Sequence, residues 1–395
     1  MSIFRKDILR RLSNIDDRLD QLKHQFKQRL GLYRPIQIIP YRGFGNSDEL
    51  YLKGRVLEDK GIRLPEDDDS FLENILAMYK RFQSDEVPGV RIKASFQGNE
   101  QIVTTDSEGY FEIRIKAPYV LAIGRAWHEV HLELLDQLNP RQTEPVTAIG
   151  QVLVPPVGSL FGVISDIDDT VLVSDVTNIL KAARLVFLHN ARTRLPFKGI
   201  SAFYRALQSG PDYTIFNPLF FVSSSAWNLY DLLVDFFSFN GIPKAPLMLR
   251  DMGLTEEYLI KSGHGIHKKE QIRQILKTYP DLPFILVGDS GQKDPEIYLQ
   301  TIKDFPGRIK AIYIRDVSEE ERDIVVHKLA KEAAGHGVEM VLVKDTEAAA
   351  LHAARLGFID PEVLPEIRAE KAYDETMPSE MEVLLDSEKT DPDII

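Results

Sequence analysis

The chain has 395 residues, enough for two ordinary domains, and its 44% hydrophobic content is that of a soluble globular protein. A formal net charge of −12 argues against a general nucleic-acid binder, and the absence of cysteine excludes disulfides, thiolate zinc sites and cysteine nucleophiles. Charges interrupt the apolar residues at the N-terminus, and no stretch approaches the roughly 20 apolar residues of a membrane span. The expectation is therefore a soluble, cytoplasmic protein with no secretory signal and no transmembrane segment.

Residues 1–34 are predicted to hold an amphipathic helix. Ile8, Leu12, Ile15, Leu19, Leu22 and Phe26 alternate in steps of four and three, a narrow apolar seam of coiled-coil type. The seam suits docking on the chain's own body, with self-association as the second reading. Arg5, Lys6, Arg10, Arg11, Lys23, Lys27 and Arg29 add a third, peripheral contact with an anionic membrane, which the narrowness of the seam disfavours.

From 35 to 153 the texture is that of strands: Ile36–Ile39, Leu50–Leu57, Val90–Phe96, Gln101–Thr105, Tyr110–Ile115 and His128–Leu134. Asp106-Ser107-Glu108-Gly109 is a hairpin turn signal between two of them. One helix is predicted over 70–82, with Ser70 as N-cap and Glu73 completing a capping box. The whole reads as a small antiparallel β-sandwich-like domain without a cluster of catalytic residue types. His128 and His131 are three apart on a strand, so they point to opposite faces, one core and one surface.

Val154-Pro155-Pro156-Val157-Gly158 is a linker, because two prolines stop ladder pairing. Over 154–350 strands and helices alternate. Strands are predicted at Phe161–Ser165, Leu219–Val222, Leu247–Arg250, Phe284–Val287, Ala311–Ile314 and Met340–Val343. Helices fall at Ile200–Leu207, Ala226–Phe239, Lys268–Tyr279, Pro295–Lys303 and Glu319–Gly335. This alternation predicts an α/β fold, a doubly wound parallel sheet with functional groups at strand C-termini. Residues 351–395 read as a C-terminal helix and an acidic tail, in which Glu362, Glu366, Glu370, Asp374, Glu375, Glu380 and Glu382 outnumber Arg368, Lys371 and Lys389.

Chemistry concentrates at four places in this second region. The apolar run from Phe161 ends in Asp166, Asp168 and Asp169, followed by Thr170. Carboxylates this crowded repel one another, which a hard divalent cation with oxygen ligands would relieve. A turn with a helix N-cap is the plainer explanation of that one motif. A second buried strand ends in Ser223-Ser224-Ser225, offering a hydroxyl and free N–H groups to a phosphate. Lys268 opens a helix, where the dipole disfavours a cation unless an anion joins it. A third strand runs into Gly288-Asp289-Ser290-Gly291-Gln292-Lys293-Asp294, with carboxylates five residues apart. Each place has a bland explanation alone. Four in order on one parallel sheet do not.

The order Asp-x-Asp-x-Thr, strand-end Ser, Lys, Gly-Asp-x-x-x-x-Asp resembles the motif set of the haloacid dehalogenase-like phosphotransferases. More narrowly, SDIDDT, NPLFFVSSSAWNLYDLL, LMLRD, the HK of GIHKKEQI and YPDLPFILVGDSGQKDPEIY resemble the catalytic domain of the actin-patch-associated phosphatidate phosphatase family, in its bacterial form. The likeness covers roughly 154–343. It departs at Ala226, where the family is expected to carry proline. The resemblance implies Asp166 as nucleophile forming an aspartyl phosphate and Asp168 as general acid and base. It implies Ser223 and Lys268 as ligands of the phosphoryl oxygens, and Mg²⁺ held by Asp166, the Asp168 carbonyl and Asp289, with Asp294 either ligating through water or orienting the others. The implied substrate is a phosphomonoester, phosphatidate first, met at a membrane surface. A soluble phosphate ester and a non-catalytic phosphate-binding scaffold remain the alternatives. Lys181, Arg184, Arg192, Arg194 and Lys198 either bind a phospholipid head group or are simply solvated.

Overall fold

The computed structural model describes residues 34–59, 86–117, 125–167, 199–250, 264–317 and 320–376. The amphipathic helix expected over 8–26, the helix over 70–82, the basic cluster of 181–198, and Asp168, Asp169 and Thr170 lie outside them. The chain divides into two compact units, Met1–Val154 and Pro155–Ile395.

In the first unit the strands are β1 (Ile36–Pro40), β2 (Gly43–Gly45), β3 (Glu49–Glu58), β4 (Arg91–Phe96), β5 (Asn99–Thr104), β6 (Tyr110–Lys116), β7 (Trp127–Leu134) and β8 (Thr147–Leu153). Pairing runs β1-β3-β2-β8-β7-β4-β5, with β6 joined to β3. Alternate residues point one way and supply a single apolar core that includes Leu50, Leu52, Val56, Ile92, Phe96, Ile113, Val130 and Val152. The ladders are antiparallel except β2 with β8, which is parallel and corrects the all-antiparallel expectation. Two strands escaped the sequence reading. β2 is three residues long, and β8 carries Gly150 at a buried position, which interrupts its apolar alternation. A Cβ at Gly150 would collide with the Leu52 side chain, so the glycine leaves room for its neighbour. His128 is buried and His131 exposed.

The second unit is built on a six-stranded sheet of β9 (Gly162–Asp166), β10 (Leu219–Ala226), β11 (Leu247–Arg250), β12 (Phe284–Asp289), β13 (Ile309–Arg315) and β14 (Glu339–Val343). Every neighbouring pair is parallel, in the order β11-β10-β9-β12-β13-β14. Between these strands and after them run α1 (Ile200–Ser209), α2 (Tyr230–Phe239), α3 (His264–Thr278), α4 (Asp294–Asp304), α5 (Glu320–Gly335), α6 (Thr346–Arg355) and α7 (Leu364–Thr376). β9, β11 and β12 are buried along their whole length, which explains why they read as continuous apolar runs. Tyr204 of α1 packs on Phe221, and Tyr279, just past α3, packs on Phe220. Successive strand residues point to opposite faces, so these two helices cover opposite sides of the sheet.

Three boundaries differ from expectation. β10 continues through Ser223 to Ala226 before a 3₁₀ turn over Trp227–Leu229, so the serines belong to the strand. Ala226 pairs in the ladder with Arg250, and unlike proline it keeps a backbone N–H. α3 begins at His264, which puts Lys268 in the second helical turn and not at its opening. α6 runs across the boundary drawn at position 350, and the C-terminal helix expected beyond it is α7. Glu370 of α7 accepts from the Ala202 N–H (2.8 Å) and pairs with Arg205 (2.5 Å), while Ile367 is buried against the body.

Candidate active site

The strand order gives the site its place. Chain order steps from β9 to β10 on one side and later to β12 on the other, so the C-terminal ends of β9 and β12 flank a topological switch point, where open parallel sheets form their crevice. Asp166 is the last residue of β9 and Asp289 the last of β12. Asp294, first residue of α4, turns back under them. Its Oδ2 accepts the Asp289 N–H at 3.2 Å, and the Gln292 N–H donates to Asp289 Oδ1 at 3.0 Å. The glycine at 288 is required here: a Cβ would lie 2.9 Å from Asp294 Cβ and Cγ.

Oxygens of Asp166, Asp289 and Asp294 lie within 4.8 Å of one another. Among the described residues the cation in direct contact with Asp166 and Asp294 is Lys268, whose Nζ stands 2.7 Å from Asp166 Oδ1 and 2.5 Å from Asp294 Oδ1. Asp166 and Lys268 are each 3% exposed, and Asp294 is fully buried. The Asp166 carboxyl is pushed well above the ordinary carboxylate range, first by burial and then by the charge of Asp294, against the pull of Lys268. Burial works to lower the Lys268 ammonium, but Asp166 and Asp294 overcome it and hold it above the ordinary lysine range. Lys268 stands on Oδ1 of Asp166, while the buried Oδ2 has no hydrogen-bond partner among the described residues. Three buried carboxylates against one ammonium, with a buried carboxylate oxygen left without a hydrogen bond, suit a hard divalent cation.

Ser223 is fully buried on the neighbouring strand, one position beyond Val222, the partner of Asp166 in the ladder. Its Oγ accepts the Ser225 N–H at 3.0 Å, leaving the hydroxyl proton for another acceptor. The structure thus brings Asp166, Lys268, Asp289 and Asp294 together, with Ser223 on the adjoining strand. Asp168 lies outside the described residues.

Several supporting residues were not foreseen. Ser165 Oγ donates to the Asp166 carbonyl (3.1 Å) and stands 2.6 Å from the Tyr204 hydroxyl, which is therefore the donor in that pair. The Tyr298 hydroxyl donates to the Val287 carbonyl at 2.7 Å. Arg322 of α5 holds the loop between β12 and α4: Nε donates to the Ser290 carbonyl (2.9 Å), Nη2 to the Gln292 carbonyl (2.7 Å), and the fork closes on Glu296 (2.6 and 2.8 Å). An arginine on an acidic helix N-terminus, against the dipole, was the available signal.

Residues 161–316 match the family model described as phosphatidate phosphatase APP1, catalytic domain. Phosphatidate phosphatase APP1 of Saccharomyces cerevisiae is 35% identical over 175 residues, which is 44% of this chain and 28% of that protein. An uncharacterized protein of Schizosaccharomyces pombe is 28% identical over 268 residues, 65% of this chain and 42% of that one. The chain therefore spans less than half the length of these curated relatives. A carbohydrate acetylesterase from Xanthomonas citri overlaps 73% of this chain and 71% of its own at 14% identity, but a TM-score of 0.24 carries no argument. Residues 161–316 are thus similar to the phosphatidate phosphatase APP1 catalytic domain.

Proposed function

We propose that this chain is a Mg²⁺-dependent phosphatase of the haloacid dehalogenase-like type, hydrolysing a phosphomonoester, with phosphatidate as the first substrate. The observation that carries the reading is Asp166, buried at the switch point beside Lys268 with two further carboxylates whose oxygens lie within 4.8 Å. The similarity of 161–316 to that catalytic domain supports phosphoryl chemistry, and helices on opposite faces of an all-parallel sheet suit the doubly wound form.

Asp166, Asp289 and Asp294 would hold the cation, with the Asp168 carbonyl. When bound, Mg²⁺ supplies charge neutralisation for the carboxylates and for the phosphoryl oxygens. An Asp166 oxygen attacks phosphorus, the bond from phosphorus to the alcohol oxygen breaks, and Asp168 gives that oxygen its proton. Water then attacks the aspartyl phosphate, loses a proton to Asp168, and returns Asp166 as a carboxylate. Lys268 and the Ser223 hydroxyl complement the charge of the phosphoryl oxygens, and Lys268 also orients Asp166 and Asp294. The complete set argues against a non-catalytic scaffold. No helix among the described residues is long and apolar enough to cross a membrane, so phosphatidate would be met through peripheral contacts.

Metal-dependent phosphate release from a panel of esters, including phosphatidate in vesicles, tests the reading. Turnover of phosphatidate above the soluble esters is expected. Preference for a soluble ester would move the substrate, and no release from any of them would leave only a binding role.

A further inference from the structure

Arg250 ends β11 at the same edge of the sheet as Asp166 and Ser223. It is 8% exposed, its Nε is buried without a hydrogen-bond partner, and no ion pair to it is found among the described residues. Other arginines of this chain are treated differently. Arg322 has Glu296, Arg55 has Glu86, and Arg205 has Glu366 and Glu370. Arg308 also has a buried, unbonded Nε, but its Nη2 donates to the carbonyls of Leu276, Tyr279 and Leu282. A guanidinium is never neutral in a protein, so a buried one without a partner is held ready for an anion that comes from outside.

Its position says which anion. Asp166, Val222 and Met248 stand in register across β9, β10 and β11. Arg250 lies two residues beyond Met248, and by strand alternation on the same face. It is thus two strand spacings, roughly 10 Å, across from Asp166 and roughly 7 Å further toward the C-terminal edge, a gap an arginine side chain narrows. α3 passes the same spot: Gln271, one turn after Lys268, donates to the Leu249 carbonyl at 3.1 Å. The crevice that holds Lys268 and Asp166 therefore has Arg250 on its β11 flank.

We propose that Arg250 is a substrate-binding residue, whose guanidinium takes an oxyanion of the phosphate ester entering this crevice. The proposal rests on the phosphatase reading for its ligand. The oxyanion is either on the phosphoryl group being transferred or on a second phosphate carried by the leaving group.

The experiment uses the full chain, wild type and with Arg250→Gln or Arg250→Lys. Hydrolysis of 4-nitrophenyl phosphate and of a diol bisphosphate is measured with Mg²⁺, and binding of inorganic phosphate and the bisphosphate by calorimetry. Arg250→Gln should raise KM about 10- to 100-fold with kcat nearly unchanged, the value of a charged hydrogen bond. Loss with both esters places the residue on the transferred phosphoryl. Loss with the bisphosphate alone places it on the leaving group. Should Arg250→Gln fail to fold, Arg250→Lys carries the test, since it keeps the charge and loses the planar fork. Unchanged KM and unchanged binding of both ligands overturn the proposal, whatever happens to the melting temperature. If the wild type hydrolyses neither ester, the phosphatase reading fails, while the two binding measurements still decide the role of Arg250.

Discussion

Two regions of this molecule handle charge in opposite ways. On one face of β3 and β6 in the first unit, cations and anions alternate across the ladder. Arg114 meets Glu49 and lies over the Tyr51 ring, Lys53 meets Glu112, and Arg55 meets Glu86 and lies over Tyr110. At the C-terminal edge of the parallel sheet, three carboxylates cluster around one lysine that pairs with two of them, and an arginine has no acid among the described residues. The first arrangement is neutralised locally and stabilises pairing of the strands. The second leaves charge buried and unbalanced, a destabilised state that persists because the surrounding sheet holds it in place. A fold keeps such groups where a ligand completes them.

The largest way to break this contrast is Asp166→Asn, which should lower turnover at least about 10³-fold, because an amide cannot attack phosphorus. Thermal melting should show the fold retained, since the change removes one charge from an over-acidic cluster. Hydrolysis at the wild-type rate would remove Asp166 from the mechanism.

Lys268→Met and Arg114→Ala compare the two regions directly. The first leaves buried carboxylates without their cation and should destabilise by about 3–5 kcal/mol in denaturant unfolding without metal. The second breaks an exposed pair and should cost less than about 1 kcal/mol. Equal losses would mean that the two edges do not differ as described. Asp289→Ala is expected to raise the Mg²⁺ concentration needed for half-maximal activity, with activity recovered at high Mg²⁺. A loss that no Mg²⁺ concentration repairs would assign Asp289 another task.

The smallest effect concerns Glu296, whose carboxyl the Arg322 hydrogen bond holds below its ordinary range. A carboxylate depressed in the folded state stabilises above its unfolded value and loses that contribution as pH falls through the lower one. Glu296→Gln should therefore flatten the decline of stability below about pH 4.5, by under about 1 kcal/mol because the pair is partly exposed. An acid limb identical to the wild type would show that the pair contributes nothing there.

What could be read from the sequence alone was local. The six strands of the parallel sheet, the strand ends carrying Asp166 and Asp289, and the resemblance over roughly 154–343 all rest on short runs of neighbouring residues, although the strand read as stopping at Ser223 continues to Ala226. Periodicity also found β1, β3, β4, β5, β6 and β7, but not β2, too short to show a period, nor β8, whose glycine answers to Leu52 on another strand. The sequence beyond 350 suggested a C-terminal helix and an acidic tail, but nothing in that stretch tells that Glu370 will meet Arg205. Tertiary structure alone decided that Lys268 joins Asp166 to Asp294, that Arg322 secures the loop from Asp289 to Asp294, and that Arg250 is buried without an acid among the described residues. The physical reason is the same throughout. A strand or a turn is written in neighbouring residues, whereas the balance of charge at a site is set by side chains that only the order of the strands brings together.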